Sequence, residues 1–363
     1  MKQYAYVDFT WPELKEMHRS IPVILPIGAG LELEAVGKDE AIILEPIPYG
    51  WPESGLEVPV EIFEAFVNGI LSSLGEDGWQ NIFVLAAVGD TSPDFTVPTL
   101  RVKRNGHCAL QLPHGERVVL IPVGHTEQHA YHLPLDTDTR IIEAIAGGTH
   151  AGLPDATALL PVLPYGVSAH RSSYFGTLNA GGRAYEDFLI ALVGSLVMQG
   201  HDRFFFLNGH GGNQSYLTNI VKACGERHLN AFTATAYLYL STAEGIRALE
   251  QHRTSGIGGM GHACELETSL MLYLDPKRVH MDRAVDETEF ISTPNYYMDW
   301  IEGGALVANP PWYDDTRTGA YGAGSQGTAG KGKLWLEAAV AEKMALVQEI
   351  HEQHRRRMAK RVS

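Results

Sequence analysis

Only three cysteines, Cys108, Cys224 and Cys264, occur in 363 residues, an odd number at wide spacing. They form neither a disulfide framework nor a zinc knuckle, and a reducing, cytoplasmic setting is the expectation. Positive charge is also scarce: 28 Lys and Arg face 43 Asp and Glu, for a formal net charge of −15. A phosphate backbone would be repelled, which argues against a nucleic-acid partner. The basic run "HRRRMAKR" (354–361) is too short to reverse this and reads as a helix end, where the negative dipole pole favours cations. No stretch approaches ~20 uninterrupted apolar residues, so no membrane-spanning helix is expected. The opening "MKQYAYVDFTWPELKEM" lacks the apolar core beside a basic region that marks a signal peptide. What is present, 45% hydrophobic and 20% charged residues, describes an ordinary soluble globular protein. The length suffices for two domains, or for one large domain with insertions.

Apolar runs of strand length alternate with segments of helical periodicity. "VVLIPVG" (118–124), "ATALLPVLPYG" (156–166), "RFFFLNG" (203–209) and "AFTATAYLYL" (231–240) read as buried strands. Between them, "RAYEDFLIALVGSLVMQG" (183–200) puts Phe188, Leu189, Leu192 and Leu196 on one helical face, and "QSYLTNIVKACGERH" (214–228) continues as a second helix. Such alternation predicts an α/β fold with a mostly parallel sheet covered by helices on both faces. The C-terminal "KLWLEAAVAEKMALVQEIHEQHRRRMAK" reads as a long amphipathic helix. The glycine-rich "DDTRTGAYGAGSQGTAGKG" before it is expected to be an exposed, flexible cover.

The chain also repeats itself. "PVILPIG" (22–28) echoes "VVLIPVG", and "PIPYG" (46–50) echoes "PVLPYG" (161–166). "IFEAFVNGILSSLGEDGWQNIFVL" (62–85) lies without gaps on "AYEDFLIALVGSLVMQGHDRFFFL" (184–207), pairing Phe66 with Phe188 and Gly78 with Gly200. Three correspondences in one order predict a duplicated half-domain, residues 1–105, ahead of a main domain, residues 106–363. Registering Pro26 on Pro122 sets Leu31 and Leu33 opposite Glu127 and His129, and registering Leu85 on Leu207 sets Val88 opposite His210. The first copy therefore reads as a scaffold, and chemistry belongs to the second.

Three segments carry ligand-type side chains. "GHTEQHAYHLPLDTDT" (124–139) follows an apolar strand; Glu127 and His129, two apart in an extended segment, face the same way, and Asp138 follows before a helix. The bland alternative is a solvated loop. "NGHGGN" (208–213) leaves His210 at a strand end between glycines; an anion-binding nest or a plain tight turn would account for it equally. "GHACELETS" (261–269) brings His262 and Glu267 next to core-like residues, so that Glu267 reads as a buried carboxylate needing a partner. Together the carboxylates and histidines suit two divalent ions, Zn or Mn.

"EQHAYHLPLDTD", "NGHGGN" and "HACELETS", in this order, resemble the creatininase (creatinine amidohydrolase) family over about residues 117–345. The resemblance implies a three-layer α/β/α fold, a binuclear Zn or Mn centre, and an assembly of identical subunits. Carried over by position, one metal takes Glu127, Asp138 and His210; the other takes His129 and the bridging Asp138. Creatininases proper complete the second metal with a glutamate where this chain has Gly212, and Glu267 is the substitute expected here, as a ligand and part of the catalytic machinery. His262 matches the catalytic histidine, holding the substrate carbonyl or passing a proton to the departing nitrogen. His170, His132 and Gly211 are expected around the substrate, with structural hydrogen bonding as the alternative for the two histidines.

The implied reaction is hydrolysis of a C–N bond in a small amide, cyclic amide or formamide by a hydroxide shared between the metals. Gly211 replaces an aromatic residue, and "LSTAEGIRALEQHRTSGIGGMG" offers none for a cover, which argues against creatinine itself. A peptidase acting on a small modified peptide, a non-catalytic metal-binding scaffold and an anion-binding module are the alternatives.

Overall fold

A computed structural model describes residues 2–89, 93–106, 109–168, 173–300 and 303–362. Two parallel sheets form in succession. The first collects β1 (Lys2–Ala5), β2 (Val23–Pro26), β3 (Glu40–Ile43), β4 (Ile82–Ala87) and β5 (Thr99–Val102) in the order β1-β3-β2-β4-β5. The second collects β6 (Val118–Val123), β7 (Thr157–Leu159), β8 (Arg203–Asn208) and β9 (Phe232–Ala236) in the order β7-β6-β8-β9. Beyond it, β10 (Met260–His262) and β11 (Tyr321–Gly322) form a small antiparallel pair. The helices are α1 (Trp11–Glu16), α2 (Val60–Glu76), α3 (Thr137–Gly152), α4 (Gly182–Met198), α5 (Gln214–Arg227), α6 (Ala243–His252), α7 (Glu265–Leu274) and α8 (Ala329–Val362).

The pleat explains the layers. Along β6 and β8 successive side chains point to opposite faces. Val119, Ile121, Val123, Phe204 and Phe206 join one core with α4 and α5, whereas Val118, Leu120, Phe205 and Leu207 join another with α3, α7 and α8. The result is the α/β/α sandwich of mostly parallel strands anticipated from the alternation. The strand at 156–166 is shorter than its apolar run: only Thr157–Leu159 pairs continuously with β6 before prolines interrupt the ladder.

Strands β3-β2-β4-β5 repeat the order and sense of β7-β6-β8-β9. The two units share one core, in which α2 lies against α4. Phe66 stacks on Phe188 with ring centroids 4.4 Å apart. The 122-residue offset that pairs these rings also relates Ser73 to Ser195 and Glu57 to Asn179. Ser73 Oγ donates to the Asn179 carbonyl and Ser195 Oγ to the Glu57 carbonyl, so the contacts are reciprocal, as about a local two-fold axis. Among the described residues the outer face of the first sheet carries no counterpart of α3; Leu31, Leu33 and Val36 cover Ile24 and Leu85 instead.

The glycine-rich segment is not the exposed cover expected from its composition. Thr318 to Gly324 are buried, β11 pairs with β10, and Gly319 and Gly324 approach Gln128 and His132 too closely to carry a Cβ. Its glycines serve close packing against the site loops rather than mobility.

Candidate metal centre

Strands β6 and β8 are neighbours at the middle of the second sheet, with Val123 opposite Asn208. Both end at the same edge, so the residues that follow them, Gly124–Asp138 and Gly209–His210, converge there, where parallel sheets gather functional groups. Antiparallel β10 and the N-terminus of α7 bring His262 and Glu267 to the same place. Glu127, His129, Asp138, His210, His262 and Glu267 are each at most 3% exposed. Together with His125, their donor atoms form three groups of three that share members, with the atoms of each group within 4.8 Å of one another.

Hydrogen bonds fix which nitrogen of each ring faces the cluster. His129 Nδ1 lies 3.2 Å from the Glu127 carbonyl, His210 Nε2 3.0 Å from the Val167 carbonyl, and His262 Nε2 2.7 Å from the Gln128 carbonyl. A carbonyl only accepts, so the ring proton sits on that nitrogen and the lone pair of the other points inward; at His262 the carbonyl, at 2.7 Å, is nearer than the Gln128 side-chain amide nitrogen, at 3.2 Å, and takes the ring proton. His210 Nδ1 then meets Glu127 Oε1 and Asp138 Oδ2, each at 3.1 Å. His129 Nε2 meets Asp138 Oδ1 at 3.2 Å and Glu267 Oε2 at 4.0 Å. His262 Nδ1 stands 3.6 Å from Glu127 Oε1. Ligands held at about 2.1 Å from a tetrahedral ion are about 3.4 Å apart. The spacings fit that edge length, and lone pairs facing carboxylates call for a cation between them. The donor set therefore fits divalent metal, with Asp138 Oδ1 turned to His129 and Oδ2 to His210.

Electrostatics agree with a site built for positive charge. Burial would lift the Asp138 carboxyl, but His129 and His210 outweigh it and hold its pKa well below the usual carboxylate range. Burial would likewise depress His129, yet Asp138, and then Glu267, raise its pKa. Ser168 Oγ donates to Glu127 Oε2 at 2.8 Å, orienting that carboxylate, and Tyr239 Oη gives its one proton to the Gly209 carbonyl at 2.6 Å, with Asp138 Oδ1 3.5 Å away. Ala130 and Ala263, directly after His129 and His262, have φ of 55° and 49°, and Leu238, directly before Tyr239, has φ of 43°. Left-handed backbone of this kind costs on the order of 1 kcal/mol per residue and collects at functional sites.

The structure thus brings together Glu127, His129, Asp138, His210, His262 and Glu267. Gly211 lines a neighbouring cavity of about 580 Å³. His132, expected near the substrate, instead lies fully buried with Nε2 2.8 Å from the Thr268 hydroxyl, and burial drives its pKa down to about 4. It joins the site loop to α7, which is the structural alternative. His170 lies outside the described residues. Aromatic residues do bound the cavity, but from a segment the motifs did not single out: Tyr296, Tyr297, Trp300 and Trp312, together with Tyr237. Trp312 lies 5.1 Å from the His262 ring, and Trp300 packs on Gly211, where a Cβ would come within 2.7 Å of it. His125 and Gln128 were passed over as well, although the same two-residue alternation that selects Glu127 and His129 selects His125. Gln128 anchors the loop, accepting from Ala130 N at 2.9 Å and donating to the Gly319 carbonyl at 2.9 Å.

The family model described as "Creatininase: Creatinine amidohydrolase" matches residues 109–347. A mycofactocin precursor peptide peptidase of Mycobacterium ulcerans (strain Agy99) is 36% identical over 180 residues, 48% of this chain and 64% of that protein. The chain thus spans less than two thirds of that relative's length. Creatinine amidohydrolase of Pseudomonas putida is 25% identical over 183 residues, 47% of this chain and 70% of that protein. The solved structure of a creatininase with Mn superposes with a TM-score of 0.53 at 22% identity, covering 66% of this chain and 92% of that one, a likeness of fold.

Proposed function

The chain belongs to the creatininase family, and from that premise we propose that it is a metal-dependent amidohydrolase that cleaves a C–N bond. The observation that carries this reading is the convergence of inward-facing lone pairs of His129, His210 and His262 on buried carboxylates, Asp138 offering one oxygen to each of two positions. Glu127, Asp138 and His210 would hold one ion, and His129, Asp138 and Glu267 the other. When bound there, such ions supply Lewis acidity and lower the pKa of water towards neutrality.

The remaining roles fall to the chain's own atoms. His262 is held through Nε2–H by the Gln128 carbonyl, so its Nδ1 takes up a proton from the attacking water and delivers it to the departing nitrogen. Ser168 keeps the Glu127 carboxylate in place, and Trp312 walls the cavity against His262. A second reading, a peptidase acting on a small modified peptide, is favoured by the cavity, whose 580 Å³ is in the range of drug-sized ligands and generous for a single small heterocycle.

Elemental analysis of wild type and Asp138→Asn, purified without chelators, tests the metal. About two Zn or Mn per chain, falling in the variant, is expected; no metal in either after incubation with both ions defeats the mechanism and leaves a scaffold. Hydrolysis of a panel of formamides, cyclic amides and short peptides, followed by mass spectrometry, then separates the two substrate readings.

A further inference from the structure

Among the described residues, four histidine rings crowd this centre, and one differs from the rest in what its outer nitrogen meets. His129, His210 and His262 each face a backbone carbonyl, whereas His125 Nδ1 receives the Gly166 N–H at 2.9 Å. A neutral imidazole has one N–H and one lone pair. The Gly166 amide uses the lone pair, so the proton of His125 is on Nε2. That nitrogen points inward, 3.8 Å from Glu127 Oε2, on a ring that is fully buried and 4.4 Å from the ring of His210. Distance alone would make His125, Glu127 and His210 a ligand triplet. The tautomer excludes it, because a protonated Nε2 has no lone pair to give a metal.

We propose that His125 is a fixed N–H donor of the metal centre, a positioning residue that acts through Glu127. Glu127 is shared in two directions: Oε1 faces His210 Nδ1, while Oε2 receives the Ser168 hydroxyl and faces the His125 N–H. The Ser168 hydroxyl holds Oε2 by a hydrogen bond, and the His125 N–H, 3.8 Å from the same oxygen, adds its positive end beside it, which leaves Oε1 to the ion. The His125 carbonyl also receives the Thr139 hydroxyl at 3.0 Å, linking this histidine to the first turn of α3, which carries Asp138. The same residue therefore braces both carboxylates of the first metal position.

This inference rests on the metal-centre reading above, and its test keeps the two apart. Zinc affinity and stoichiometry are measured by chelator competition on the full chain as wild type, His125→Asn and His125→Gln. Asparagine keeps an acceptor for the Gly166 amide but presents no donor at the Nε2 position; glutamine restores a donor there and gives up the acceptor. The expected result is a loss of about 10- to 100-fold in affinity for one ion in His125→Asn, the scale of outer-shell changes, with most of it regained in His125→Gln. Unchanged affinity in a folded His125→Asn overturns the proposal, as does a third ion in wild type that both variants lose. If neither variant folds, ion positions in crystals of the zinc-loaded wild type decide: an ion about 2.1 Å from His125 Nε2 overturns it, and ions only at the other histidines uphold it. Wild type that binds no metal at all removes the metal-centre reading itself, a separate outcome.

Discussion

A Cβ at position 212 would stand 2.4 Å from both His210 Nε2 and the Val167 carbonyl, so the hydrogen bond that fixes the His210 tautomer leaves that position without a side chain. The turn after His210 therefore has no room for a carboxylate at that position, whereas Glu267 of α7 places its Oε2 4.0 Å from His129 Nε2. Glu267 there is also the N3 residue of that helix, its Oε2 accepting from Cys264 N at 3.4 Å, so the fold of the helix end and the aim of the carboxylate are one arrangement. Glu267→Gln keeps a capping oxygen and loses the charge. It is expected to bind one zinc fewer per chain than wild type with unchanged far-ultraviolet circular dichroism; retention of full stoichiometry would remove Glu267 from the ligand set. Glu127, His129, Asp138 and His210 were legible in the motifs because sequence neighbours on one strand end share a site by geometry. His132 was not, because its partner Thr268 comes from a distant helix that no local pattern announces.

Among the elements, the pairing of α2 with α4 carries a charge the repeat predicts should not be there. Asp77 follows α2, where the dipole end disfavours a carboxylate, and its Oδ2 accepts from Gly176 N at 2.8 Å. Burial lifts its pKa to about 7, against a lowering by that hydrogen bond and by Arg19. The equivalent place after α4 holds the neutral Gln199, whose amide donates to the Gly55 carbonyl at 2.7 Å. A carboxyl with a raised folded-state pKa binds its proton in the folded chain when the unfolded chain has lost it, so it subtracts stability as pH rises from about 4 to 7. Since Asp77 is only partly shielded from solvent, the full shift overstates the penalty. Asp77→Asn is therefore expected to stabilise by on the order of 1–2 kcal/mol at pH 8 and by little at pH 4, as read from urea midpoints at the two values. Equal gains at both would show that the carboxyl is not the cause. Strand and helix positions at this scale followed from apolar periodicity, which is a local property. The buried state of the glycine-rich segment did not, since composition reports flexibility of a free chain and not the neighbours that fill around it.

In the whole molecule, one apolar core runs from the first sheet through α2 and α4 to the second. Phe66 and Phe188 meet at its centre, both fully buried. Truncating either ring removes a buried aromatic from both units at once, at about 3–5 kcal/mol. Phe66→Ala and Phe188→Ala are each expected to lower a single, shared unfolding transition when followed by tryptophan fluorescence and circular dichroism together. Two separate transitions, with only one displaced, would mean that the units unfold independently. Among the described residues no helix is long and apolar enough to cross a membrane. The sequence by itself determined the alternating strands and helices, the repeat, and the motifs that place the chain in its family, because each is written in spacings along a few neighbouring residues. Only the tertiary structure decided which nitrogen of each histidine faces the carboxylates, that position 212 has no room for a side chain, and that aromatic residues near 300 wall the cavity. Those features depend on carbonyls, amides and rings brought together from distant parts of the chain, and no local pattern carries that information.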